Sequence, residues 1–393
     1  MTVKGDNKLG DFFASRRNKG LDTLPVLSVT LNNGLVERTE LDRKSESTLA
    51  PEEHLLVRKG DIAYNMMRMW QGASGIADKD GIVSPAYVVC APKNGVDSKY
   101  AAYAFKSPQL IHLFWAYSYG LTNDRLRLYY KDFAKIPVTF PPLPEQKMIA
   151  RILSTWDKAI ETVDKLIENS QQQKKALMQQ LLTGKKRLPG FTGEWNTTKL
   201  NKLCNVRRGA SPRPISDAKW FADEGRGWIR IADATASESR YLTETTQKLS
   251  PLGVEKSVSV DPGDLIMSIC GTIGVPRILS IAACIHDGFV VFRDYADKLH
   301  LEYLYHYLNL FALRLANSGQ PGTQKNLNTT IVGNLEVPLI SIEEQIAIAN
   351  VLNKAEEHAL SLQREHEIFR IQKQALMQQL LTGKRRVAVS GEA

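Results

Sequence analysis

The chain has 393 residues, with 51 lysines and arginines against 42 aspartates and glutamates, a formal net charge of +9. This length excludes a single small module and predicts two or three domains, and the positive surplus favours an anionic partner without identifying it. No apolar run approaches the roughly 18 residues of a membrane span, no signal-like stretch follows Met1 and the four cysteines lack paired spacing, so we expect a cytoplasmic protein with free thiols and no membrane contact.

Residues 1–140 are rich in β-branched and aromatic residues with glycine and proline between them, which predicts a mixed α/β domain of short strands. Two loops, residues 64–72 and the loop that begins at Gly120, are dense in polar side chains. Arginine, asparagine and glutamine can make paired hydrogen bonds to guanine or adenine in the major groove, although an ordinary polar loop explains each position equally well. The candidate DNA-binding residues here are Asn65, Arg68, Gln71, Asn123, Arg125 and Arg127.

The next segment, residues 141–187, has the features of a long helix that packs against another helix. Residues 145–182 contain neither glycine nor proline, and Gly184 is placed for a left-handed C-terminal cap. The basic run that ends at Arg187 is explained by the negative end of the helix dipole. Apolar residues alternate at spacings of four and three, as in a coiled-coil seam. Ser170 and Lys174 interrupt the seam, as His366 and Lys373 do in the second copy of the helix, and these polar positions either fix the register or mark a place where the helices separate. The seam residues are Ile149, Leu153, Trp156, Ile160 and Val163.

Residues 188–338 predict a second α/β domain that is distantly related to the first. Gly263-Asp264 and Phe289-Val290-Val291 echo Gly60-Asp61 and Tyr87-Val88-Val89, which favours a common fold. The polar loops between these shared positions differ, so we interpret the domains as two recognition units for two different sequences. The candidate DNA-binding residues of the second domain are Arg207, Arg208, Ser211, Arg213, Gln324, Lys325 and Asn326.

Residues 339–386 are a second copy of the long helix, and a short tail, residues 387–393, follows. Residues 375–384 match residues 176–185 letter for letter, at an offset of 199 positions. The two apolar stripes are buried most simply against each other, and the path of the intervening chain favours an antiparallel pair, with parallel and intermolecular pairing left open. The seam residues of this copy are Ile348, Leu352, Leu362 and Phe369.

No catalytic site is recognisable in the chain. Pro141-Pro142 is not followed by the aromatic residue of an amino-methyltransferase motif, and Gly184-Lys185-Lys186 lacks the rest of a phosphate-binding loop. The histidines and cysteines show no metal-ligand spacing. We therefore expect a non-catalytic chain that holds no metal and no cofactor.

These features resemble the DNA-specificity (S, HsdS) subunits of type I restriction–modification systems. The resemblance lies in Pro142-Leu143-Pro144-Glu145-Gln146 before a long helix, in residues 177–184 at its end and in residues 188–195 leading into the next domain. It covers essentially the whole chain. In one departure, the second copy has Ile342-Glu343 where the first has its proline-rich lead, so the entry into the second helix is open.

Together with the repeat, the resemblance implies an α+β fold: two similar α/β target recognition domains joined by two long helices that form an antiparallel coiled coil, with a pseudo-two-fold internal repeat. Each domain would read one half of a bipartite, asymmetric site on double-stranded DNA. The helices would act as a spacer and dock two methyltransferase (M) subunits, and restriction (R) subunits would join the complex. AdoMet, ATP and Mg²⁺ would be bound by these partners. The alternative is a coiled-coil protein–protein adaptor without sequence-specific DNA binding.

Overall fold

The computed structural model describes residues 7–41, 49–122, 125–317 and 327–388. The chain divides into two compact units: the first comprises Met1–Thr162 and His366–Ala393, and the second comprises Val163–Glu365. Each unit holds one α/β region and parts of two long helices, Leu143–Leu181 and Ile342–Leu381. Within the described ranges, no helix is long and apolar enough to cross a membrane.

The first unit is built on a four-stranded antiparallel sheet. Its strands follow the order Phe13–Arg16, Tyr87–Pro92, Ile62–Asn65 and Ser74–Ile76. Three two-stranded ladders accompany it: Leu55–Val57 with Gly81–Val83, Leu27–Val29 with Leu35–Glu37, and Asn7–Lys8 with Pro137–Val138. The short helices are Leu9–Phe12, Ser98–Ala104, Pro108–Ala116 and Tyr130–Phe133, with 3₁₀ turns at Arg38–Glu40, Pro51–Glu53 and Met69–Gln71.

Phe133 lies at the centre of the aromatic core of the first unit and is fully buried. The aromatic rings that surround Phe133 come from the sheet and from three separate helical segments. They form one cluster, which fixes the sheet against the chain that leads into the first long helix. The Phe133 ring centroid lies 5.3 to 6.2 Å from those of Phe13, Tyr64, Phe105, Phe114 and Tyr130.

The second unit repeats this architecture with additions. Its main sheet has the order Asn205–Arg208, Phe289–Arg293, Leu265–Ser268 and Pro276–Leu279, extended by Tyr241–Leu242. A second sheet contains Gln247–Leu249, Phe221–Ile229, Ala283–Ile285 and Val258–Val260, and Asn196–Lys199 pairs with Glu336–Leu339. The short helices are Ile231–Ala236, Pro251–Glu255, Leu301–Asn317 and Thr329–Gly333, with 3₁₀ turns at Leu200–Lys202 and Ala218–Trp220. The shared strand order confirms the prediction of two similar α/β domains.

The two long helices pack antiparallel in each unit. In the first unit, the Trp156 and Phe369 rings meet edge to face at 5.6 Å, and Leu153 shares a core with Leu380. In the second unit, Leu181 shares a core with Ile348. Every position of the two predicted apolar stripes is buried or half-buried, as a coiled-coil seam requires.

Both helices begin at equivalent positions despite their different entry sequences. The amide of Gln146 donates to the Pro142 carbonyl at 3.0 Å, and that of Gln345 donates to the Ser341 carbonyl at 3.0 Å. In the second copy, the Ser341 hydroxyl also accepts from the Glu344 amide at 3.3 Å, an N-cap that replaces the proline-rich lead. The departure in sequence therefore leaves the helix start unchanged.

A glutamate at the start of each long helix forms two hydrogen bonds with an arginine that follows the end of the other long helix. Glu145 binds Arg386 through two hydrogen bonds of 2.6 and 2.7 Å, and Glu344 binds Arg187 through two of 2.6 and 3.0 Å. The hydrogen bonds from Arg386 hold the pKa of the Glu145 carboxyl below its usual range. Arg187 is thus engaged by the facing helix and not only by the dipole of its own helix.

The lysines that interrupt the seam are each held by a carboxylate of the facing helix. Lys373 pairs with Asp157 in the first unit, and Lys174 pairs with Glu356 in the second. Each carboxylate also accepts a hydrogen bond from a tyrosine of the adjacent α/β region, Tyr103 on Asp157 and Tyr305 on Glu356. These paired contacts favour the first of the two interpretations, a role of the lysines in fixing the register.

The second unit adds a buried histidine to this polar cluster. Asn353 donates from Nδ2 to Glu302 at 2.8 Å, which leaves its Oδ1 to accept from Nε2–H of His306 at 2.8 Å. The His306 Nδ1 atom is buried and has no hydrogen-bond partner among the described residues. His306 is therefore a neutral imidazole, and burial, together with the charges of Lys174 and Arg240, lowers its pKa to about 4 despite the opposing effects of the hydrogen bond with Asn353 and the charge of Glu356.

We expect the second unit to lose stability as the pH falls from 7 to 5. A histidine in the unfolded chain has a pKa near 6.5. Between about pH 6.5 and 4, the unfolded chain therefore binds a proton that His306 does not bind in the folded chain. This difference lowers the free energy of unfolding by about 2 kcal/mol at pH 5. Urea denaturation at both pH values measures this loss. His306→Gln keeps an N–H donor without titrating, and an equal pH-dependent loss in this variant would contradict the assignment.

Candidate nucleic-acid interface

Three of the residues predicted to bind DNA lie where the strand Ile62–Asn65 leaves the sheet of the first unit. The half-buried Asn65 accepts from the Met67 amide at 3.0 Å through its side-chain oxygen, so it shapes this loop. Arg68 and Gln71 are exposed at the 3₁₀ turn that follows. These two side chains can therefore meet a ligand without loss of an internal contact in the described part of the chain.

A second loop of the first unit lies beside the first. Arg127 exchanges backbone hydrogen bonds of 2.8 and 3.0 Å with Tyr119, and the Leu128 amide donates to the Met66 carbonyl at 2.8 Å. This contact brings the exposed Arg125 and Arg127 next to residues 65–71. Asn123, also predicted to bind DNA, lies outside the described residues.

In the second unit, Asp287 forms hydrogen bonds with three of the residues predicted to bind DNA. It accepts from the Ser211 hydroxyl at 2.6 Å and from the Arg213 guanidinium at 3.0 Å, and its backbone carbonyl accepts from Arg208 at 2.7 Å. The hydrogen bond from Ser211 holds the pKa of Asp287 below its usual range against the effect of partial burial, with a further contribution from Arg213. Arg207 is exposed on the same strand end. Gln324, Lys325 and Asn326 lie outside the described residues.

Close backbone contact explains how the segment that follows the strand Asn205–Arg208 reaches Asp287. A side chain at Gly209 would place its Cβ 2.2 Å from the His286 carbonyl oxygen, so only glycine allows this approach. Sequence reasoning missed Asp287, which lies 74 positions after Arg213. The echo of residues 289–291 with residues 87–89 is the one signal that places it next to a recognition strand.

The two units thus present different chemistry on the same scaffold. Arg68 and Gln71 of the first unit face solvent, whereas Arg208 and Arg213 of the second are held by Asp287. Exposed guanidinium and amide groups can read base edges or bind phosphates. Arg213 donates one N–H to the Asp287 carboxylate and keeps its other donors for a ligand.

The described residues offer no site that fits a metal, and three of the four cysteines are buried. They contain no group of three histidine, cysteine, aspartate or glutamate side chains placed to hold an ion. Cys90, Cys204 and Cys284 are buried, and burial raises the pKa of their thiols. These cysteines behave as packing residues.

Comparison with known proteins agrees with this geometry. The family model of the type I restriction modification DNA specificity domain matches residues 7–169 and 192–371. The MjaVIII type I restriction enzyme specificity subunit of Methanocaldococcus jannaschii is 26% identical over 362 residues, 85% of this chain and 81% of that protein. The protein described as the MjaX specificity subunit of the same organism is 28% identical over 264 residues, 64% of this chain, and the match spans only 60% of its length.

Solved structures show the same fold at low sequence identity. A chain from a study of assembly and conformational transition of the type I R-M system has a TM-score of 0.61 at 18% identity, with 95% of this chain and 96% of that chain covered. The HsdS subunit from Thermoanaerobacter tengcongensis has a TM-score of 0.53 at 18% identity, with 96% of each chain covered. The S subunit from M. genitalium has a TM-score of 0.59 at 14% identity, with 97% of each chain covered. Since the family model covers most of the sequence, the chain belongs to the type I restriction–modification DNA specificity family.

Proposed function

We propose that this chain is the sequence-specific DNA-recognition subunit of a type I restriction–modification complex and that it reads a bipartite, asymmetric site. The observation that carries this proposal is the pair of units with one strand order and different side chains after the equivalent strands Ile62–Asn65 and Leu265–Ser268. Arg68 and Gln71 follow the first of these strands, and Cys270 and Thr272 follow the second. A shared scaffold with different contact residues suits two half-sites of different sequence. The family membership supports the same function.

The partners belong to the proposal as well. The helix ends carry identical exposed glutamines, Gln179 and Gln180 on the first helix and Gln378 and Gln379 on the second. Two equivalent surfaces suit two copies of one partner, and we assign that role to two methyltransferase subunits, with restriction subunits joining the complex. The chain itself would be non-catalytic and cytoplasmic, and AdoMet, ATP and Mg²⁺ would be held by the partner subunits.

The proposal is tested by Arg68→Ala and Arg213→Ala in the full chain assembled with its methyltransferase subunits. Loss of a base-reading arginine is expected to cost about 1–3 kcal/mol of binding free energy and to relax the preference at one position of one half-site. Selection of bound duplexes from a randomised pool measures this preference. The two variants are matched controls, because Arg68→Ala should leave the half-site of the second unit unchanged and Arg213→Ala should leave that of the first unchanged.

Two results would contradict the proposal in different ways. Intact affinity and site preference in both variants would remove the residue assignment. A wild-type complex that shows no sequence-dependent DNA binding would remove the recognition function and favour a protein–protein adaptor.

A further inference from the structure

A cleft of about 440 Å³ opens on the first unit beside the predicted recognition loops. Met66, which follows Asn65 in the first of these loops, is part of its wall. Three cations and three tyrosines share the remaining wall with apolar side chains and one serine, and no carboxylate side chain lines the cleft. The residues that give the cleft this character are Arg16, Arg17, Tyr87, Tyr129, Tyr130 and Lys131.

Two of the three cations have no internal carboxylate partner in the described ranges. Arg16 is engaged by Asp61 through hydrogen bonds of 2.6 and 3.1 Å. Arg17 and Lys131, by contrast, are exposed and form no ion pair with any described residue. The cleft therefore offers two positive charges to a ligand, while the third charge holds the sheet to the turn at Asp61.

The fold holds the walls of this cleft in place. Arg16 faces Val89 across the antiparallel ladder, and Tyr87 faces Asn65 on the other side of the same central strand. Tyr130 donates from its hydroxyl to the Phe13 carbonyl at 2.8 Å, and Phe133 anchors the same helix in the aromatic core. A ligand thus meets a prepared surface, which lowers the ordering cost of binding.

The corresponding place in the second unit has different chemistry. Arg16 pairs with Val89 and Arg207 with Val291 in the equivalent ladders, so Arg208 takes the place of Arg17, and its guanidinium donates to the Asp287 carbonyl at 2.7 Å. In the helix Thr329–Gly333, Thr330 occupies the position of Lys131 in Tyr130–Phe133. Lys131 is therefore a cation of the first unit alone, on a backbone that also folds with threonine at this place, whereas the arginine at the position of Arg17 recurs in the second unit and is held there by Asp287.

We propose that this cleft binds the sugar–phosphate backbone of the half-site read by the first unit, with Arg17 and Lys131 on phosphates and the exposed Tyr129 as a further hydrogen-bond donor. The inference rests on the proposed function. Duplex DNA carries about one negative charge per 1.7 Å of its axis, so a basic cleft next to a base-reading loop meets phosphates when that loop reaches the groove. Such contacts fix the register of the domain on the duplex and carry no sequence information themselves.

The test uses Arg17→Ala and Lys131→Thr in the full chain assembled with its methyltransferase subunits. Each phosphate contact contributes about 0.9 to the slope of log K against log salt concentration. Each variant should therefore lower the magnitude of this slope by about 0.9. When the salt concentration rises from about 50 to 200 mM, the factor by which the affinity of the variant falls should be about 3.5 times smaller than the factor for the wild type. The ratio of affinities for the recognised and an unrelated duplex should stay unchanged.

Lys131→Thr installs the residue that the second unit carries at the same place, so the fold should tolerate it. Lys99→Ala is the matched control, because Lys99 is exposed on the helix Ser98–Ala104 of the same unit and lies outside the cleft. This control should keep the wild-type slope.

Each other outcome has a distinct meaning. Wild-type slopes in both cleft variants, with specific binding intact, would overturn the backbone assignment and leave the proposed function standing. A changed preference at one base position would also overturn it, because the cleft would then read a base. A wild-type complex without sequence-dependent binding would overturn the proposed function itself.

Discussion

Replacement of Glu356 by glutamine is expected to lower the free energy of unfolding by about 3 kcal/mol. The Glu356 side chain is only 6% exposed, and it pairs with Lys174 and Arg240. Burial alone would raise the pKa of this carboxyl, but Lys174 and Arg240 contribute to a combined opposing effect that holds the pKa below its usual range. Glutamine would leave the half-buried Lys174 without its counter-charge. The expected loss lies at the lower end for a broken buried pair, because Arg240 keeps two other carboxylates.

The neighbouring residue supplies a matched control. Glu357 also pairs with Arg240, at 2.8 Å, but its side chain is 59% exposed. Exposed ion pairs contribute about 0–1 kcal/mol, so Glu357→Gln should change the free energy of unfolding little. Urea midpoints of the two variants compare them directly, and equal losses would show that burial does not set the strength of this pair.

Replacement of Gln345 by alanine is expected to cost a similar amount, about 3 kcal/mol. The fully buried Gln345 amide donates to the Lys298 and Ile340 carbonyls at 2.8 and 2.9 Å. Its oxygen accepts from the His300 amide at 2.9 Å. Alanine would leave three backbone groups without these partners, at roughly 1 kcal/mol or more for each.

The same amide bonds recur in the first unit. Gln146 donates to the Gly95 and Pro141 carbonyls and accepts from the Asp97 amide, so Gln146→Ala should have the same effect there. Gln379→Ala is the control, because Gln379 is exposed on the same helix as Gln345 and should change stability by about 0.5 kcal/mol at most. Comparable losses in Gln345→Ala and Gln379→Ala would mean that the buried amide does not hold the helix start.

The long helices and the kinship of the two units were accessible from the sequence because their signals are local. The glycine- and proline-free stretch, residues 145–182, corresponds to the helix Leu143–Leu181. The Gly184 cap has the expected left-handed backbone, with φ of 71°, and Gly383 repeats it with φ of 70°. Seam spacing follows from helical periodicity, so the buried stripe could be read from sequence positions alone.

The candidate site was harder to predict from the sequence, because the charge that it offers to a ligand depends on which polar groups meet across the fold. Arg16 and Arg17 are neighbours in one basic run, yet Arg16 forms an ion pair with Asp61 and Arg17 forms none with a described carboxylate. Lys131 carried no signal in the sequence and lines the cleft only because Phe133 anchors its helix. Arg187 looked like a helix-end charge until its partner, Glu344, was known.

The sequence alone therefore determined that the chain holds two α/β domains and two copies of one helix, since periodicity and caps are properties of neighbouring residues and the repeat is found by comparing two stretches of the sequence. The tertiary structure alone decided how the surplus charge of +9 is divided between internal ion pairs and exposed groups. Ion pairing acts over a few ångströms between residues far apart in the chain, and Arg386 and Glu145, 241 positions apart, meet only when the fold brings them together.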